Sequence, residues 1–153
     1  MQAPVAAEQA TPELVTDQLT ALMKHLLVTT SRDFFSELEK AGISITQIKS
    51  LAMLADSEEP MSVKALSDLM GLSVPGISRA VDGLVQRGEI KRVEDLRDRR
   101  CKLLSITPRG RRTHDRLLAT RIAGVRRFVD GLDPEEQEAL AQGLRAVAGR
   151  LHR

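Results

Sequence analysis

The sequence predicts a mainly α fold, with two short helices in tandem, a two-stranded β ribbon after them, and longer helices at both ends. Three observations predict it. Apolar residues recur at three- and four-residue spacing through most of the chain, as one face of a helix requires. That period is lost between Ile90 and Ile106, where two short apolar runs flank a charged turn. Ser, Thr or Asp stands before the helical runs and Gly after several of them, marking starts and stops.

Residues 1–10 are rich in Ala, Gln and Pro and read as an N-terminal arm. Thr11-Pro12-Glu13 is a helix start: a capping hydroxyl, Pro in the first turn, then an acid. Val15, Leu19, Leu22 and Leu26 follow, then Leu27, Phe34 and Leu38, so one long helix runs to Gly42. Ser44-x-x-Gln47 is a capping box, behind which Ile48, Leu51, Ala52 and Ala55 share a face. After a polar break at 56–60, Ser62 starts a third helix with Val63, Leu66, Leu69 and Met70 inward, closed by Gly71. Ser73 starts the fourth helix, with Ile77, Val81, Leu84 and Val85 inward and Gly88 at its end. Ile90–Glu94 and Cys101–Ile106 read as strands around the tip 95–100. Thr107-Pro108 starts a helix lined by Leu118, Ile122, Val125 and Val129. Asp133-Pro134-Glu135-Glu136 starts the last, lined by Leu140, Leu144, Val147 and Leu151.

Composition narrows the function. The 153 residues suit one domain with a substantial core, and 42% hydrophobic with 29% charged residues is an ordinary globular balance. With no Trp, no Tyr and three Phe, the chain lacks the aromatic platforms on which single-stranded nucleic acid stacks. No apolar run approaches a membrane span, and the N-terminus has no secretion-signal pattern, so a cytoplasmic protein with no membrane partner is expected. One cysteine excludes an internal disulfide. The net charge of +2 is unevenly spread: residues 1–60 carry −5, and residues 87–112 hold 10 basic against 4 acidic side chains. That segregation suits an anionic partner, although a solvated Arg-rich surface would look the same.

Two helices joined by a short turn containing Gly71 form a helix-turn-helix, in which the second helix enters the major groove of double-stranded DNA. Here that recognition helix spans 73–87. Pro75, Arg79, Asp82 and Gln86 lie opposite its apolar face, and Ser73, Gly76 and Ser78 sit near its start, where side chains meet base edges. Arg79 can bind guanine in a bidentate way. A helical hairpin without any ligand has the same local pattern, and the ribbon that follows it discriminates. Segment 90–106 reads as a wing carrying Arg97, Asp98, Arg99 and Arg100 at its tip, arginines suited to a narrow minor groove. Asp98 can fix one guanidinium and leave the others to reach DNA.

The terminal helices, 11–42 and 107–153, carry apolar stripes that the small lobe 43–106 cannot cover alone. A second copy would cover them and set two recognition helices one DNA turn apart. The alternative is a monomer whose end helices fold back on the lobe.

Over residues 14–152 the chain resembles the MarR family of winged helix-turn-helix regulators. The resemblance rests on Asp95-x-Arg97-Asp98-Arg99-Arg100 followed by Ile106-Thr107-Pro108-Arg109-Gly110, and on Ser78-Arg79-x-Val81-Asp82-x-Leu84-x-x-Arg87-Gly88. Ile43-Ser44-x-x-Gln47 and Asp133-x-Glu135-Glu136 match the family's helix starts, whereas Ser62-x-x-Ala65 lacks its usual Glu. The resemblance implies a homodimer on a pseudo-palindromic operator, usually a repressor, often released by a small phenolic or lipophilic effector. Such an effector would have to prefer a dimer whose recognition helices are misplaced for the groove. The effector pocket cannot be assigned to residues from sequence. A constitutive or architectural DNA binder of the same fold, without effector, is the alternative.

The remaining signals are weaker. Cys101 lies beside arginines that favour its thiolate, but reads as a passive strand residue, since the family's peroxide sensors use a first-helix cysteine. His25, His114 and His152 have no metal-ligand spacing, so neither a metal nor a cofactor is expected. His25, Arg32 and Arg116 are candidates to approach an effector, with ordinary surface positions favoured. The chain has no phosphate loop, Gly-x-Ser-x-Gly or ligand cluster, and catalytic activity is not expected.

Overall fold

A computed structural model describes residues 10–95 and 102–151. The elements are α1 (Pro12–Ala41), α2 (Ile45–Asp56), β1 (Met61–Ser62), α3 (Val63–Met70), α4 (Val74–Gln86), β2 (Ile90–Glu94), β3 (Lys102–Ile106), α5 (Pro108–Asp130) and α6 (Pro134–Leu151). Local chemistry explains the starts. The Leu14 amide donates to Thr11 Oγ1 (3.2 Å) at α1. At α2 the Gln47 amide donates to Ser44 Oγ (3.2 Å) while Gln47 Oε1 accepts from the Ser44 amide (2.9 Å), closing the capping box. Asp133 and Glu136 make the same reciprocal arrangement at α6.

The chain divides into two compact units, one of residues 33–122 and one of residues 1–32 with 123–153, so both divisions fall inside helices, α1 and α5. All the buried hydrophobic side chains of the described residues lie in the first unit, from Phe34 to Leu117. Its core is built from Phe34 and Leu38 of α1, Ile48, Leu51 and Leu54 of α2, Leu66 of α3, Ile77, Val81 and Leu84 of α4, Ile90 and Leu104 of the ribbon, and Leu117 of α5. In the second unit Gly124 of α5 approaches Thr30 of α1 closely: a Cβ on Gly124 would sit 2.2 Å from Thr30 Cγ2. His25 and Phe128 meet there with ring centroids 5.4 Å apart.

The ribbon has a third strand that the sequence does not announce. β2 pairs with β3 antiparallel, from Ile90↔Ile106 to Glu94↔Lys102, and β1 adds to the other edge of β3 through Met61↔Leu104 and Ser62↔Leu103. Two residues are too few to show alternation, and Ser62 also caps α3, accepting from the Ala65 amide (3.1 Å). The expected inward position of Leu69 is corrected as well: it is 65% exposed. On the helical wheel Leu66, Met70, Val63 and Ser67 share an arc of roughly 100°, and Leu69 falls outside it. Ser67 is buried in its place, its hydroxyl donating to the Leu72 carbonyl. On α5 the buried core residue is Leu117, next to the expected Leu118, which is 44% exposed.

Candidate nucleic-acid interface

The tandem helices α3 and α4 are joined by Gly71, Leu72 and Ser73. Gly71 stands at φ +63°, a left-handed conformation that a side chain disfavours, and its amide returns to the Asp68 carbonyl to end α3. Ser73 then caps α4, accepting from the Gly76 amide (3.4 Å), with Pro75 in the first turn. One face of α4 is sealed by fully buried Ile77, Val81 and Leu84. The opposite face presents Pro75, Arg79 and Gln86, all exposed, with Asp82 half-buried among them; Ser73 is exposed, and Gly76 and Ser78 are half-buried. The structure therefore brings the seven expected recognition-helix residues onto one element. Arg79 has no ion-pair partner among the described residues.

Asp82 is not an isolated carboxylate. It accepts a hydrogen bond from the Arg92 guanidinium of β2 and ties the outer face of α4 to the ribbon. Arg92 was not singled out by the sequence because its role depends on β2 lying against α4, ten residues away in the chain. The ribbon tip residues Arg97, Asp98, Arg99 and Arg100, together with Cys101 and His152, lie outside the described residues.

The base of the ribbon is fixed by a cluster that no local pattern reveals. Glu89 is 1% exposed, and its carboxylate accepts from Arg87 Nε (3.0 Å), Arg87 Nη2 (3.3 Å) and Thr113 Oγ1 (3.1 Å). Arg87 Nη2 also donates to the Ala41 carbonyl (2.9 Å), so the ends of α1 and α4 and the first turns of α5 meet on one buried charge. Such a charge is tolerable only because it is paired and hydrogen-bonded. Thr107 completes the joint: its hydroxyl donates toward the Gly88 and Glu89 carbonyls (2.8 and 3.1 Å) and accepts from the Gly110 amide (3.1 Å). Gly110 leaves no room for a side chain, since a Cβ there would sit 2.1 Å from the Glu89 carbonyl oxygen. The Thr107-Pro108-Arg109-Gly110 motif is thus the seat of α5 on the ribbon base.

A cleft of about 220 Å³ opens between α1, α2 and α5, lined mainly by Phe34, Ile48 and Leu117 with Lys49, His114 and Arg121 as its cationic or protonatable members. The Arg121 guanidinium stacks over the Phe34 ring at 3.9 Å, and His114 Nδ1 lies 3.0 Å from Asp115 Oδ1. Of the other expected effector-approaching residues, His25, Arg32 and Arg116 are exposed, and none is among the cleft's lining residues. The described residues contain no group of three or more His, Cys, Asp or Glu that could hold a metal ion. Among them no helix is long and apolar enough to cross a membrane.

Comparison with known proteins agrees with this arrangement. Residues 41–100 match the MarR family model, which covers α2 to the ribbon tip. The chain is 28% identical over 116 residues to the uncharacterized HTH-type transcriptional regulator YfiV of Bacillus subtilis (strain 168), covering 76% of this chain and 72% of that protein. Among solved structures it is similar to RV1404 from Mycobacterium tuberculosis, with a TM-score of 0.73, 27% identity and coverage of 95% and 97% of the two chains. A MepR variant from S. aureus bound to an oligodeoxyribonucleotide shares the fold, with a TM-score of 0.68, 19% identity and coverage of 87% and 97%. Residues 41–100 are thus similar to the MarR family, and the chain is similar in sequence to an HTH-type transcriptional regulator and in fold to RV1404 and the MepR variant.

Proposed function

We propose that the chain works as a homodimeric, sequence-specific regulator, placing α4 in the major groove and the ribbon tip in the adjacent minor groove of a pseudo-palindromic operator. The observation that carries this reading is the two-sided character of α4: its inner face is sealed in the core, while on its outer face Arg79 is exposed with no ion-pair partner among the described residues. Ser73, Pro75, Gly76, Ser78, Arg79, Asp82 and Gln86 then contact or border the bases. Arg97, Asp98, Arg99 and Arg100 serve the minor groove, an assignment that rests on their sequence pattern. The MepR variant was itself bound to an oligodeoxyribonucleotide, which supports the fold's suitability for such a partner.

Dimerisation is supported by what the terminal helices leave open. Val15, Leu19, Met23 and Leu27 of α1 are 41–59% exposed, and Leu144 and Val147 of α6 are 49% and 44% exposed. Isolated exposed apolar residues are ordinary, but stripes of them on the first and last helices, with no buried apolar neighbour among the described residues of their own unit, call for a covering surface. A second copy supplies it with two-fold symmetry, matching an inverted-repeat site.

Repression relieved by an effector is the regulatory mode proposed, with the cleft at Phe34, Lys49, His114 and Arg121 as the effector site. Its apolar walls and basic members suit a lipophilic or phenolic molecule with an anionic group. The test is selection of bound duplexes from a random pool, followed by thermal-shift screening of phenolic and lipophilic acids. The proposed function requires inverted-repeat duplexes and a ligand that both stabilises the protein and weakens their binding. Binding that no stabilising ligand affects would instead leave a constitutive DNA-binding protein.

A further inference from the structure

The first turn of α4 is unusual in what it can offer a base. Ser73 Oγ accepts from the Gly76 amide, Pro75 has no amide hydrogen, Gly76 has no side chain, and Ile77 is fully buried. Val74, 45% exposed, is left as an outward apolar side chain beside exposed Pro75. Leu69 and Leu72, 65% and 44% exposed, continue the apolar surface through the preceding turn. This patch is continuous along the chain with the outer face of α4 that carries Arg79.

Resting on the proposed docking of α4 in the major groove, we propose that Val74, buttressed by Pro75, recognises the C5-methyl group of thymine and makes each half-site selective for thymine at that position. The thymine methyl is the apolar feature among the base edges of the major groove; the others are hydrogen-bond donors and acceptors. Val74 cannot satisfy those groups, so another base there loses water without gaining a partner. Its β-branched side chain has few rotamers to lose on contact. Arg79, five residues and about 1.4 turns further along α4, then reads guanine through hydrogen bonds, so the two residues divide the half-site between shape and polarity.

The test replaces each thymine of a selected duplex in turn by deoxyuridine, which removes only the methyl group. Wild-type affinity is expected to fall about fourfold for each contacted methyl, the effect of leaving roughly one buried methyl-sized group unmade. In Val74→Ala the same replacement should cost less than about twofold, and Val74→Ile should retain the sensitivity. Thermal unfolding of both variants checks that they fold. If no thymine is sensitive, or if wild type and Val74→Ala lose equally, the methyl contact is wrong while Arg79-dependent recognition can still stand. Failure to select any duplex overturns both the docking and the contact.

Discussion

The Arg92 guanidinium on β2 donates a hydrogen bond to the Asp82 carboxylate on the outer face of α4, so a charge on the proposed recognition face is already engaged within the protein. Both side chains are more than one-third exposed, which limits the pair's contribution to folding. Asp82→Ala should change unfolding free energy by less than about 1 kcal/mol. It also removes a negative charge from the side proposed to face DNA and frees Arg92 for a phosphate. Non-specific duplex binding should therefore tighten, and the log–log salt dependence should steepen by about 0.9. Fluorescence anisotropy over a salt series measures both, and an unchanged slope would show that Arg92 stays away from the backbone.

Arg79→Ala should weaken operator binding by about 1–3 kcal/mol and relax base preference at one position per half-site. Competition with single-base operator variants is the measurement. A uniform loss across all duplexes would make Arg79 a phosphate contact.

Gly110→Ala places a Cβ against the Glu89 main chain, which cannot step aside as a flexible side-chain end could. A loss of about 3 kcal/mol is expected in chemical denaturation at fixed protein concentration. A near-neutral result would mean that α5 can shift on the ribbon base without penalty.

Glu89→Ala removes the shared acceptor of Arg87 and Thr113. Arg87 is one-third exposed and can return to water, so the cost should be about 1–3 kcal/mol, below that of stranding a fully buried charge. Double mutation with Thr113→Val should be less than additive, since both act on one cluster. Full additivity in denaturant titrations would argue against a coupled joint.

Leu144→Glu tests the dimer. A charge in an apolar interface should shift sedimentation toward the monomer and weaken operator binding, while the core between Phe34 and Leu117 is untouched. A variant that remains dimeric at low micromolar concentration would move the interface away from α6.

The helices were legible because their ends are written in adjacent residues. Thr11, Ser44, Ser62, Ser73 and Asp133 all cap where their chemistry places them. The inner and outer faces of α4 were legible because a helix buried on one side repeats every three to four residues. β1 was hidden by its length and by the double duty of Ser62. Leu69 was misplaced because a helix of eight residues gives apolar spacing little chance to define its inner arc. The Glu89 joint was illegible for a different reason: Ala41 and Thr113 are distant in sequence from the Arg87–Glu89 pair, and Glu89 by itself reads as a surface acid. The cleft at Phe34, Lys49 and Arg121 has the same character, because three helices must meet before it exists.

The confinement of buried apolar side chains, among the described residues, to residues 34–117 has a consequence for dosage. If the terminal helices cover their stripes only against another copy, the DNA-binding species forms by a second-order step. Well below the dimer dissociation constant its concentration rises with the square of the amount of chain, so a twofold change in expression becomes nearly fourfold at the operator. Under the proposed repression, loss of half the protein during dilution or growth would then open the regulated gene more sharply than simple titration of a monomer could. The uncovered surface of each chain would make occupancy of the operator a measure of cellular abundance, before any effector enters.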